Sequence, residues 1–215
     1  MASPNFPIDA NDVKHDPWNF IIMATDIRSL VWRREDDRGH YLITTASQQL
    51  DHGFINHAFA SEEMYWAKPL PQEQLAVVLS HSITLGLYDL KLRRHAVQPP
   101  KTDDEPPVSQ QPPSETQDIF EQVGLARFIT DHVTTAYLTD VYIAPEYRSY
   151  GLGKWLVACC NDVVDAHPAL RRVLLAASPA VGKPFYEREM GMRDVIEEAE
   201  KVSIMSRRSF KLPVR

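Results

Sequence analysis

Arg148, Gly151 and Gly153 fall within Arg148-Ser149-Tyr150-Gly151-Leu152-Gly153, and these residue types at this spacing suit the binding of an anion. The stretches on either side differ in texture. Ala136-Tyr137-Leu138-Thr139-Asp140-Val141-Tyr142-Ile143 is rich in aromatic and β-branched residues and predicts a buried strand. Ala144-Pro145-Glu146-Tyr147 breaks it. Leu152, Trp155, Leu156, Cys159, Cys160 and Val163 then recur at helical spacing. The first turn of such a helix carries backbone amides with no internal partner and the positive end of the helix dipole. Glycine there removes the side chain that would hold a phosphate away. The pattern is an anion cradle suited to a pyrophosphate.

Three nucleotide motifs compete for this segment. A P-loop needs Gly-x-x-x-x-Gly-Lys-Ser/Thr, but Trp155 follows Gly153-Lys154 and Arg148 stands where the first glycine belongs. A dinucleotide fingerprint needs a third glycine, and Leu156 occupies its place. What remains, Arg-x-x-Gly-x-Gly between strand and helix, resembles the acyl-CoA cradle of the GNAT N-acetyltransferase superfamily. Val141 to Arg148 resembles that family's strand-and-turn approach to the loop. Pro184-Phe185-Tyr186-Glu187-Arg188-Glu189-Met190-Gly191-Met192 is similar to its Phe-Tyr-x-x-x-Gly-Phe segment, with Met192 in place of the aromatic. The likeness extends more weakly from about Tyr41 to the C-terminus.

The resemblance implies an α/β fold: a mixed, mostly antiparallel central sheet with helices on both faces and a splayed acyl-CoA cleft. It also implies direct transfer of an acetyl group from acetyl-CoA to an amine in a ternary complex, with no metal. Tyr186 lies at the family's tyrosine position and would protonate the leaving thiolate. Backbone groups of Val141, Tyr142 and Ile143 would pair with the pantetheine arm. The cradle amides of Ser149, Tyr150, Gly151, Leu152, Gly153 and Lys154 would take the pyrophosphate, with Arg148 adding charge and Ser178 as a looser match. Asp140, on the cradle strand, is either a general base or a carboxylate satisfied by an arginine such as Arg127. Tyr65 and Trp66, in a Pro-bounded loop, are candidates for the wall of an acceptor pocket. The acceptor is a small-molecule amine or a peptide; the sequence does not name which. The rival reading is a non-catalytic acyl-CoA-binding module.

The composition narrows the class. A chain of 215 residues, 44% hydrophobic and 24% charged, is long enough for one well-filled globular core. A net charge of −6 without a basic stripe argues against a nucleic-acid partner. The two adjacent cysteines, Cys159 and Cys160, cannot staple a fold and at least one of them reads as buried filler, and the eight histidines show no metal-ligand pairing. No secretory signal or membrane-spanning run is evident, so a soluble, cytoplasmic or nuclear protein is expected. A homodimer is common in folds of this kind.

Residues 1 to about 39 read as an extension before a catalytic domain spanning 40–215. Within the extension, Phe20 to Met23 and Leu30 to Trp32 are candidate strands, and Arg33 to Arg38 is a charged turn. Tyr41 to Thr45 predicts a strand, Leu50 to Met64 and Pro71 to His81 helices, and Ile83 to Leu90 a strand. From about 95 to 118 prolines sit among charged and polar residues, which predicts a disordered insertion between two strands of one sheet. Val123 to Thr130 and Tyr137 to Ile143 would form a hairpin. Val173 to Ala177 predicts a central strand, Pro184 to Met190 a helix, and Val202 to Met205 a closing strand.

Overall fold

The computed structural model describes residues 27–91 and 119–198. Among these, six strands form one sheet in chain order: β1 (Val31–Asp36), β2 (Gly39–Thr44), β3 (Ser82–Lys91), β4 (Ile119–Thr130), β5 (Thr135–Ile143) and β6 (Arg172–Leu175). Neighbours run antiparallel from β1 to β5, whereas β5 and β6 are parallel. The helices are α1 (His52–Ala60), α2 (Gln72–Ser80), α3 (Leu152–Asp165), α4 (Gly182–Met190) and the single turn α5 (Val195–Glu198).

Successive residues of a strand point to opposite faces of its sheet. On β5 the Tyr142 ring meets Phe54 of α1 with 6.1 Å between centroids. Its neighbour Ile143 lies beneath α3, 3.8 Å from where a Cβ on Gly153 would stand. Helices α1 and α3 therefore cover opposite faces, as the family resemblance implied. Both faces are buried, so adjacent Leu42 and Ile43 of β2 are each in the interior. Ile43, Ile55, Leu75, Leu125 and Leu156 belong to one fully enclosed cluster, where each side chain contributes about 1.5–3 kcal/mol.

Most predicted elements form, and the departures have local causes. The sheet begins at Val31, inside the stretch read as an extension, because Arg33 to Asp36 continue the first strand instead of turning. An edge strand tolerates such charges on its open side. Trp32 is its inward anchor, donating from Nε1 to Asp162 Oδ2 of α3 at 2.9 Å. Helix α1 starts where the Asp51 side chain accepts from the Gly53 and Phe54 amides. It ends at extended Ser61, so Glu62–Met64 is a separate 3-10 turn, not the end of a longer helix. Strand β6 is only partly buried and is the last strand among the described residues, instead of the central strand its apolar run predicts. The candidate strands at Phe20 to Met23 and Val202 to Met205, and the Pro-rich insertion, lie outside the described residues. The ends flanking that insertion are partners in the sheet, Lys91 opposite Ile119.

Candidate active site

The cleft begins where β5 loses its neighbour. Pairing with β6 runs from Thr135 opposite Arg172 to Leu138 opposite Leu175 and then stops. From Thr139 to Ile143 no described strand lies on that side of β5. At the same level β4 and β5 change register. Leu125 faces Tyr142 and Arg127 faces Thr139, which leaves Ala126 opposed by both Asp140 and Val141. This is a β-bulge, with Asp140 held at φ 52°. Beyond it, Ala144 donates its amide to the Val123 carbonyl of β4. By alternation the backbone groups of Val141 and Ile143 face the open side.

The open edge leads to the cradle. After a 3-10 turn at Pro145–Tyr147, Ser149 (φ 70°) and Gly151 (φ 71°) both take left-handed conformations, and α3 begins at Leu152. Gly151 caps the helix without a side-chain bond, and the first amide bonded back to it is that of Trp155, at 3.1 Å. The amides of Leu152, Gly153 and Lys154 thus have no partner among the described residues. A Cβ on Gly153 would make only ordinary contact with Ile143, so crowding within the chain does not account for glycine there. Free amides at a helix start, beside an unpaired strand edge, fit an extended ligand ending in a diphosphate.

Not every predicted residue is available as expected. Arg148 forms a bidentate pair with Glu63, at 2.7 and 2.6 Å, and also donates from Nε and Nη2 to the Ile143 carbonyl at 3.0 Å. The guanidinium holds the Glu63 carboxyl below its usual range, and Glu63 in turn raises Arg148. The Ile143 carbonyl, expected to pair with pantetheine, is therefore occupied, and Arg148 carries no unbalanced charge. Leu152 contributes only its backbone, since its side chain is in the core. Lys154 Nζ lies 3.5 Å from Glu189. Ser178 Oγ accepts from the Gly182 amide at 3.0 Å and steadies the turn into α4, leaving its hydroxyl proton to donate.

Asp140 is paired with Arg127, the partner named in the second of its two readings. Oδ2 accepts from Arg127 Nε at 2.7 Å, with Nη2 of the same guanidinium in ion-pair contact at 2.7 Å, while Oδ1 accepts from Trp66 Nε1 and Thr139 Oγ1, each at 3.1 Å. Both oxygens are thus engaged and the carboxylate is 4% exposed, which turns it towards these partners. The same contact brings Trp66 to the bulge. Trp66 is 53% exposed and Tyr65 84%, with their rings edge-to-face at 5.0 Å.

Tyr186 lies on α4, packed towards Cys160 of α3, and burial pushes its phenol up to about 12. Its hydroxyl bonds to no described residue. Four residues separate it from Gly191, one more than in the Phe-Tyr-x-x-x-Gly pattern, and α4 absorbs the extra residue before closing at left-handed Gly191. Both cysteines are buried, where the sequence predicts this of at least one, and burial pushes both thiols up. Among the described residues no cluster of His, Cys, Asp or Glu could hold a metal ion, and no helix is long and apolar enough to cross a membrane.

The sequence reading missed Arg34, Arg38 and Glu63. Arg34 donates to the Tyr150 carbonyl at 3.0 Å, and Arg38 to the Ser149 carbonyl at 2.7 Å. The density of arginines in Arg33 to Arg38 was the one available signal, but nothing in it names a distant partner.

The chain is similar to known proteins over most of its length. A model of the acetyltransferase (GNAT) family matches residues 99–192. A Gibberella zeae protein named as an acetyltransferase is 37% identical over 160 residues, covering 74% of this chain and 83% of its own. A GNAT-family crystal structure from Xanthomonas campestris pv. campestris is 27% identical, covers 77% of this chain and 94% of its own, and superposes with a TM-score of 0.49. The solved structure of a GNAT-family acetyltransferase from Streptococcus pneumoniae is 16% identical, covers 79% of this chain and 98% of its own, and has a TM-score of 0.46. With a relative at this identity spanning most of both chains and the family's model matching the segment that carries the cradle, the protein belongs to the acetyltransferase (GNAT) family.

Proposed function

We propose that the protein moves an acetyl group from acetyl-CoA directly to a primary amine, with both substrates bound together. The observation that carries this reading is the unpaired edge of β5, which runs from the bulge beneath Trp66 to the free amides at the start of α3. Such an edge suits a pantetheine arm, and the amides suit its diphosphate. Family membership supports acetyl transfer as the chemistry.

In this reading the amine nitrogen bonds to the acetyl carbon as the carbon–sulfur bond breaks. Tyr186 gives its proton to the departing sulfur and regains one from solvent. A phenol raised to about 12 remains protonated at neutral pH and is ready for that role. The amine's proton leaves to water, because the buried Asp140 carboxylate is engaged by Arg127, Trp66 and Thr139. Asp140 instead holds Trp66 and the bulge in place. Trp66 and Tyr65 line the acceptor side, and their exposed aromatic faces suit an alkyl amine or a peptide side chain.

The test is CoA release from acetyl-CoA across alkyl amines, polyamines, amino acids and lysine peptides, with no-acceptor controls. Saturable release with one acceptor class is expected. Tight binding of acetyl-CoA without turnover on any amine would instead favour a binding module.

A further inference from the structure

The β1–β2 hairpin reaches the back of the cradle. Arg34 Nη2 donates to the Tyr150 carbonyl at 3.0 Å, Arg38 Nη1 donates to the Ser149 carbonyl at 2.7 Å, and the Arg38 guanidinium lies 4.9 Å over the Tyr150 ring. Arg34 also stands behind Gly151, with its terminal nitrogens 3.6 and 3.7 Å from where a Cβ would be. In a trans peptide the C=O and N–H bonds point in opposite directions. Carbonyls held against the hairpin therefore turn the Tyr150 and Gly151 amides away from it. Neither amide donates to any described residue.

Charge follows the same arrangement. Arg148 is balanced by Glu63 and Arg34 by Asp36, at 2.7 Å, whereas Arg38 has no carboxylate partner among the described residues. The hairpin thus brings a cation without a carboxylate partner against the Ser149 carbonyl of the cradle loop.

We propose that Arg34 and Arg38 are positioning residues for the diphosphate of the co-substrate, orienting the Tyr150 and Gly151 peptides and placing net positive charge behind them. This rests on the reading of the cradle given above. The two are separated by measuring acetyl-CoA binding and turnover in wild type, Arg34→Ala, Arg38→Ala and Arg38→Lys, alongside turnover of S-acetyl-N-acetylcysteamine, a thioester without phosphates. Loss of either arginine should raise the acetyl-CoA Kd and KM about 10-fold, the size expected for a charge-assisted hydrogen bond, with kcat and the acceptor KM unchanged. Arg38→Lys should recover most of the affinity. Turnover of the truncated thioester should not respond to any of these changes. Wild-type acetyl-CoA affinity in both alanine variants, or an equal loss with the truncated thioester, would overturn the proposal while leaving the cradle intact. Failure of wild type itself to bind acetyl-CoA would overturn the cradle reading and this inference with it.

Discussion

Replacing Asp140 with alanine separates a structural carboxylate from a catalytic base. Asp140 is 4% exposed and its partner Arg127 13%, so the variant leaves a largely buried guanidinium without its counter-ion. Breaking such a pair costs about 3 kcal/mol. Alanine must also adopt the φ of 52° that Asp140 takes at the bulge, adding about 1 kcal/mol. The expected total is about 4 kcal/mol, and at about 2–4 °C per kcal/mol the melting temperature should fall by about 8–16 °C. Asp140→Gly removes the conformational part and should melt about 2–4 °C above Asp140→Ala. Adding Arg127→Met to Asp140→Ala removes the stranded cation and should recover stability, a coupling that thermal or urea unfolding reads directly. If Asp140→Ala melted like wild type while kcat collapsed, Asp140 would be the base and the ion-pair reasoning would be wrong.

Tyr186→Phe should lower kcat about 100-fold, at the low end for a general acid, and leave acetyl-CoA affinity unchanged in a titration. Because burial raises the phenol to about 12, wild-type kcat should show no loss attributable to this group up to pH 10, as a pH–rate profile would reveal. Glu63→Gln should release Arg148 and remove a negative charge from the cleft. Since both side chains are substantially exposed, at 58% and 39%, the gain is about two-fold in acetyl-CoA Kd, measured at low salt. Iodoacetamide at pH 8 should label neither Cys159 nor Cys160 in the native protein and both after unfolding, as counted by mass spectrometry.

What could be read from the sequence was local. The change from strand texture at Ala136 to Ile143 to helical spacing from Leu152 placed the cradle, because periodicity and glycine position are properties of neighbouring residues. The features hidden from that reading depend on pairing across long separations. Arg34 and Arg38 meet the cradle 116 and 111 residues away, and Glu63 meets Arg148 across 85. No periodicity marks the bulge at Asp140, since it arises from how β5 matches β4. Arg33 to Asp36 looked like a turn because charge is common in turns, yet an edge strand accepts the same residues. Ser178 carried a hydroxyl at a suggestive place, and its bond to Gly182 becomes evident only once α4 is folded.

The most direct test of the cradle is calorimetric titration of acetyl-CoA into wild type and into Gly151→Asp, with melting curves to confirm that the variant is folded. Position 151 holds φ 71° at the head of α3 and a Cβ there would lie 3.6 Å from Arg34, so an aspartate strains the loop and sets a negative charge against the guanidinium behind the free amides. Saturable binding to wild type and no detectable binding to a folded Gly151→Asp is the expected result. Equal binding by both proteins would show that acetyl-CoA does not use the start of α3.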